Sequence, residues 1–140
     1  PMLMDTGGNS GGQASVTVIR AMSLGEVTFR DFFKVIWKEI RVGLVCGLSL
    51  AAANFIKIWL VDHLIMHNDD ITLIVDLAIC LTLVVEIVFA KFIGCTLPMI
   101  AKKVGFDPAV MSSPFITTVV DAVSLLVYFG IATALIPQLH

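Results

Sequence analysis

Charge is scarce in this sequence: of 140 residues only 14% are Asp, Glu, Lys or Arg, while 58% are hydrophobic. Soluble domains run near about 25% charged and 45–50% apolar, so this balance excludes an ordinary water-soluble domain and reads as a polytopic membrane protein. Cysteine is limited to Cys46, Cys80 and Cys95, each inside an apolar stretch. They form no CxxC pair and no zinc spacing, so they read as small apolar residues and fix no redox compartment. No nucleophile stands beside a paired base, and there is no phosphate loop or hydrolase-type metal cluster, so no enzyme is expected. No nucleic-acid partner is expected either. A signal-peptide pattern is missing and the chain opens on Pro1, which reads as a piece of a longer or processed protein.

What is present is a set of long apolar runs. Residues 2–21 make an unusual first span, rich in Gly and uncharged polar groups. Asp5, Asn9 and Gln13 recur every fourth residue and share one helical face, which Arg20 rejoins. Gly7, Gly8, Gly11 and Gly12 remove side-chain bulk, permitting close approach by another helix or by an ion. The same GGNSGG run is also linker-like, so a loop outside the membrane is a second reading. Residues 29–41 read as a basic amphipathic helix on an anionic membrane surface, capped by Thr28 with Asp31, with Phe29, Phe32, Phe33, Ile36 and Ile40 opposite Arg30, Lys34, Lys38 and Arg41. A second span covers residues 42–60, with small residues Gly43, Gly47, Ser49 and 51–53 as a packing face and Lys57 and Trp59 as interfacial anchors. Asp62, His63, His67, Asp69 and Asp70 follow; they read as a solvated acidic loop, with metal binding the alternative.

The third span, residues 71–100, exceeds what a bilayer needs, so tilt or a break at Gly94 or Pro98 is expected. It carries Asp76, Glu86 and Lys91. Glu86 and Lys91 lie about 140° apart around a helix, so each is expected to pair across helices in a structural role, with a role in an ion path as the alternative. The last span, residues 113–136, starts with Pro114 in its first turn and carries Asp121 near its middle. A charge there costs roughly 2.5–3.5 kcal/mol on insertion scales and faces an interior or an aqueous path. Ser113, Thr117, Asp121, Ser124 and Tyr128 fall in one narrow arc, whereas Ile116, Val119, Val123, Leu126 and Val127 fill much of the rest. This stripe reads as the lining of a cation path, against the plainer reading of an Asp that hydrogen-bonds a neighbouring helix.

Residues 61–70, and everything after Asp121, contain no Lys or Arg, whereas Arg20, Arg30, Lys34, Lys38 and Arg41 flank the first connection and Lys102 and Lys103 the third. The positive-inside rule then places the first and third connections in the cytoplasm and both ends outside. The fold class expected is an all-α integral membrane protein: a four-helix transmembrane bundle with a basic amphipathic interfacial helix. Four helices hardly enclose an aqueous pore, but a homodimer doubles both polar stripes and brings two Asp121 carboxylates near one axis. Like charges in a confined site need a cation between them. A hydrated divalent ion suits, and Mg²⁺ keeps its waters and is commonly held by one or two carboxylates.

GGNSGGQASVTVIRAMSLGEV resembles the second transmembrane helix of the MgtE family of magnesium transporters, KFIGCTLPMIAKKVGFDP its fourth helix and following loop, and FDPAVMSSPFITTVVDAVSLLVYFGIA its fifth. The resemblance implies a homodimeric Mg²⁺ channel in the plasma membrane, lined by the first and last spans of this chain, with Asp121 the central ligand of hydrated Mg²⁺ and Thr117 one turn before it. Gly7, Gly8, Asn9, Gln13, Ser113, Thr117 and Ser124 are the expected lining residues, and Mg²⁺ the transported ion. Some members carry Asn where this chain has Gly12 and Ser113. The family's first helix and its cytoplasmic regulatory domains, partners of the pore, have no counterpart in these residues, so the chain reads as a pore domain. An H⁺- or Na⁺-coupled secondary divalent-cation transporter, with Asp121 or Glu86 as the coupling acid, is the alternative, although no inverted repeat relates the two halves.

Overall fold

The computed structural model describes residues 2–61, 73–110 and 113–135, with side chains described over 5–61, 75–110 and 114–134. The acidic stretch from Asp62 to Asp70 and the side chain of Ser113 lie outside the described residues. Among those described there are only helices: α1 (Met2–Ser23), α2 (Phe32–Leu60), α3 (Leu73–Val104) and α4 (Ser113–Leu135), with single 3₁₀ turns at Phe29–Asp31 and Pro108–Val110. The fold is an all-α membrane bundle. Phe29–Leu60, Val75–Val104 and Pro114–Ala134 are long and apolar enough to cross a membrane. α1 has 22 residues, a spanning length, but its glycines and polar groups give it a different composition.

α3 is the central helix and packs on all three others, while α1 also packs on α4. The basic stretch is not a separate surface helix. α2 runs unbroken from Phe32 to Leu60, 29 residues or roughly 43 Å at the α-helical rise. No proline interrupts it, and Gly43 and Gly47 are accommodated within the helix. Glu39, on the inner side of those basic turns, is drawn against α3 by Lys91 at 3.2 Å. The 3₁₀ turn that leads into α2 is capped as the sequence reads it: the Asp31 carboxylate accepts from the Thr28 backbone N–H at 3.2 Å and from the Thr28 hydroxyl at 3.0 Å.

α3 likewise shows no break at Gly94 or Pro98, both of which lie inside it and are buried. Gly94 is instead a crossing point, where an added Cβ would run into the Gly11 carbonyl of α1. Along the other side of α3, Gly43 and Gly47 meet the Cα atoms of Val88 and Val84, and Ala51 and Asn54 continue that buried line. Only every fourth small residue is used; Ser49, Ala52 and Ala53 face outward.

One end of the bundle gathers the basic connections. Val18 and Met22 of α1 pack on Cys95 and Met99 of α3, with Val27, Phe32, Val35 and Ile36 closing over them. α1 and α3 both stop there in glycine caps. Gly25 and Gly105 have φ of 74° and 90°. The N–H groups of Glu26 and Phe106 reach back to Ala21 and Ala101 at 3.0 and 2.9 Å, which is the Schellman pattern. Lys102 donates to the Met22 carbonyl at 3.0 Å, and the Lys103 ammonium sits 4.2 Å from the Phe29 ring centroid. The first and third connections therefore meet at the same end.

Candidate functional site

Four glycines in the first turns of α1 set the geometry. Gly7, Gly8, Gly11 and Gly12 are all buried, on a helix whose Asp5, Asn9, Gln13 and Arg20 are exposed. α1 thus has two faces, a bare backbone face pressed on α3 and α4 and a polar face left open by this chain. Gly11 takes the side chains of Val120 and Ile116 and the Ala90 carbonyl. Ala90, Ile116 and Val120, with Ile93 and Leu97, form the apolar seal between α3 and α4.

One turn earlier on α1, the neighbours of the glycines turn polar. A Cβ on Gly8 would stand 2.7 Å from Thr117 Cγ2 and 2.9 Å from Asp121 Oδ1. On Gly7 it would stand 2.7 Å from Glu86 Oε1 and 3.0 Å from Ser124 Oγ. The lack of side chains is what lets two acids from different helices approach the same turn of backbone. Asp121 Oδ1 is buried without a hydrogen-bond partner, and so are both oxygens of Glu86. Asp121 also feels the charges of Asp5 and Glu86, so the local field is acidic. No group of three or more His, Cys, Asp or Glu suited to hold a metal ion occurs among the described residues. Such oxygen acceptors suit a hard cation that keeps its waters rather than one bound tightly by the chain alone.

The polar arc of α4 divides when placed in three dimensions. Thr117 and Asp121 are half-buried and meet α1 at Gly8, whereas Ser124 is 3% exposed and lies beside Glu86. Tyr128 turns outward against Phe129, ring centroids 5.4 Å apart. Asn9 and Gln13 stay on the open face of α1. Lys91 pairs across helices, as the sequence suggests, with a residue the sequence reading does not single out, Glu39 of α2. Glu86 makes no ion pair among the described residues. Its nearness to Asp121 is the feature that sequence reasoning misses, because the two lie 35 positions apart on α3 and α4 and meet only through the register of both with α1. The only signal is indirect: a second acid in an apolar span beside a glycine-rich one.

Residues 1–131 match the MgtE family, described as a divalent cation transporter. The chain is 34% identical over 136 residues to the magnesium transporter MgtE of Thermus thermophilus, an alignment covering 97% of this chain and 28% of that protein. It is 33% identical over 132 residues to the magnesium transporter MgtE of Enterococcus faecalis, covering 94% and 27%. With the Bacillus subtilis protein of the same name it shares 35% over 143 residues, covering 99% and 29%. The chain thus spans under a third of the length of these relatives.

Proposed function

We propose that this chain, which belongs to the MgtE family of divalent cation transporters, carries Mg²⁺ across the membrane through a pore shared by two copies of itself, with Asp121 as the central acidic group. The observation that carries this reading is the buried, unpartnered Oδ1 of Asp121 facing the bare backbone of α1 at Gly8. A carboxylate oxygen deprived of both water and hydrogen-bond donors is costly in a membrane unless a cation visits it. The relatives named above are magnesium transporters, which supports Mg²⁺ as that cation.

A second copy is supported by the open face of α1. Asp5, Asn9 and Gln13 are exposed in one protomer, and such a stripe cannot face hydrocarbon. Opposed to its own copy it becomes one wall of a polar path, lined further by Gly8, Thr117 and Asp121. The ion would pass with its first water shell, its waters held by Asp121 and by the amide groups of Asn9 and Gln13, since Mg²⁺ dehydrates reluctantly. Cytoplasmic regulatory domains of the family would act on this pore from the end where Lys102 and Lys103 lie.

Asp121→Asn keeps the side chain's shape and removes its charge. Mg²⁺ flux into liposomes bearing the full chain should drop by two orders of magnitude or to background, if removal of a central charge-stabilising group is worth roughly 2.7–4 kcal/mol. Unchanged flux in that variant defeats the proposal. Flux that follows the Mg²⁺ gradient and ignores pH and Na⁺ separates a channel from a coupled carrier.

A further inference from the structure

We propose that Glu86 is a second cation-binding acid, acting with Asp121 of the same protomer across the Gly7–Gly8 step of α1, so that the divalent cation reaching Asp121 is also held through its waters by Glu86. This rests on the reading of Asp121 given above and adds a residue from α3 to the path.

Glu86 is 2% exposed, and neither of its oxygens accepts a hydrogen bond. The Ser124 hydroxyl lies beside it as a neutral polar group, which leaves the carboxylate without a counter-charge among the described residues. An ionised carboxylate so enclosed has to be neutralised. The basic side chains of the same helix are otherwise engaged: Lys91 with Glu39, Lys102 with the Met22 carbonyl and Lys103 with the Phe29 ring. What remains is a proton or a cation from outside. A protonated Glu86 could give its proton to the Ser124 hydroxyl beside it, but it would leave the Asp121 charge unanswered.

A cation answers both problems. Glu86 and Asp121 repel each other and sit against adjacent glycines of α1, where no side chain stands in the way. Ser124 adds a hydroxyl beside Glu86, giving an all-oxygen surrounding suited to the waters of a hard divalent ion. Glu39 is the internal control, being buried to a similar degree in the same bundle yet fully answered by a lysine.

The test compares Glu86→Gln, Glu86→Asp and Asp121→Asn in the purified full chain, reading Mg²⁺-dependent thermal stabilisation in detergent and Mg²⁺ flux in liposomes. Gln copies a neutral Glu86 but not a charged one. The proposal expects Glu86→Gln to melt no lower than the parent without Mg²⁺, and to need roughly 10–100-fold more Mg²⁺ for half-maximal stabilisation and flux, the usual effect of removing a group that acts on a metal through its first shell. Glu86→Asp, whose carboxylate is withdrawn by one methylene, should fall between the two. If Glu86→Gln matches the parent in both readouts while Asp121→Asn loses them, Glu86 is a neutral packing group and the proposal is overturned, with the function reading intact. If Asp121→Asn keeps full flux, the function reading fails first and the Glu86 proposal falls with it. Should Glu86→Gln not fold, Glu86→Asp decides: an unchanged Mg²⁺ requirement overturns the proposal.

Discussion

Along α2, Gly43, Gly47 and Ala51 let one helix press on the backbone of α3; along α1, Gly7, Gly8 and Gly11 do the same against α3 and α4. Each seam holds a buried glutamate. At the first, Glu39 meets Lys91 at 3.2 Å. At the second, Glu86 meets no counter-charge among the described residues, and Asp121 keeps one oxygen bare. The small residues serve the same steric purpose in both places, so it is the state of the charges that tells a structural seam from a functional one. A membrane bundle built only for packing would answer its buried acids, as the Glu39–Lys91 pair of the α2 seam does. The α1 seam leaves two unanswered, side by side.

The contrast breaks most sharply at Lys91. Lys91→Ala strands the Glu39 charge and should cost roughly 3–5 kcal/mol of stability, measured by unfolding in detergent micelles, with most of it recovered in Glu39→Gln/Lys91→Met. A loss well under 1 kcal/mol would mean that the pair is solvated and the seams are not different in kind. Next in size is Gly47→Ala. Its Cβ would stand 3.0 Å from Val84 Cα, a backbone atom that cannot swing aside. About 1–3 kcal/mol should be lost, with the Mg²⁺ dependence of flux unchanged. Gly8→Ala sharpens the comparison from the other side. The atoms its Cβ meets are the ends of Thr117 and Asp121, which can rotate at about 0.5–1.5 kcal/mol. Stability should suffer less than in Gly47→Ala, yet flux should change because Asp121 has been moved. Equal flux in Gly8→Ala and the parent would remove Asp121 from the path.

Much of this was legible in the chain. The apolar runs and the glycine spacing depend on local chemistry and periodicity, which sequence carries directly. Asp121 stood out because a charge in an apolar span is expensive wherever it points. The continuity of α2 was harder to read, because a basic amphipathic pattern is equally consistent with a helix on a surface and with the protruding turns of a longer one; the Glu39–Lys91 pair, 52 residues apart in sequence, decides it. Pro98 also misled, since a proline in a helix removes one donor without having to break the helix when neighbours hold it. The Glu86–Asp121 juxtaposition required the register of α3, α4 and α1 together, and no local rule supplies that.

The smallest test lies at the far end of α1. Lys102 donates to the Met22 carbonyl at 3.0 Å, tying the last turn of α1 to α3 and placing a positive charge where the helix dipole is negative. This contact belongs with the α2 seam, because both partners are satisfied and neither points into the polar face. Lys102→Gln removes the charge and keeps part of the reach, so it should cost about 0.3–1 kcal/mol in the same detergent unfolding measurement. The Mg²⁺ concentration giving half-maximal flux should stay where it is in the parent. A shift in that concentration would show that the position of α1 at its capped end is felt at Gly7 and Gly8, about three turns or more away along the same helix. Satisfied and unsatisfied contacts would then be coupled through one rigid rod, and the charge state of a seam would no longer suffice to assign its role.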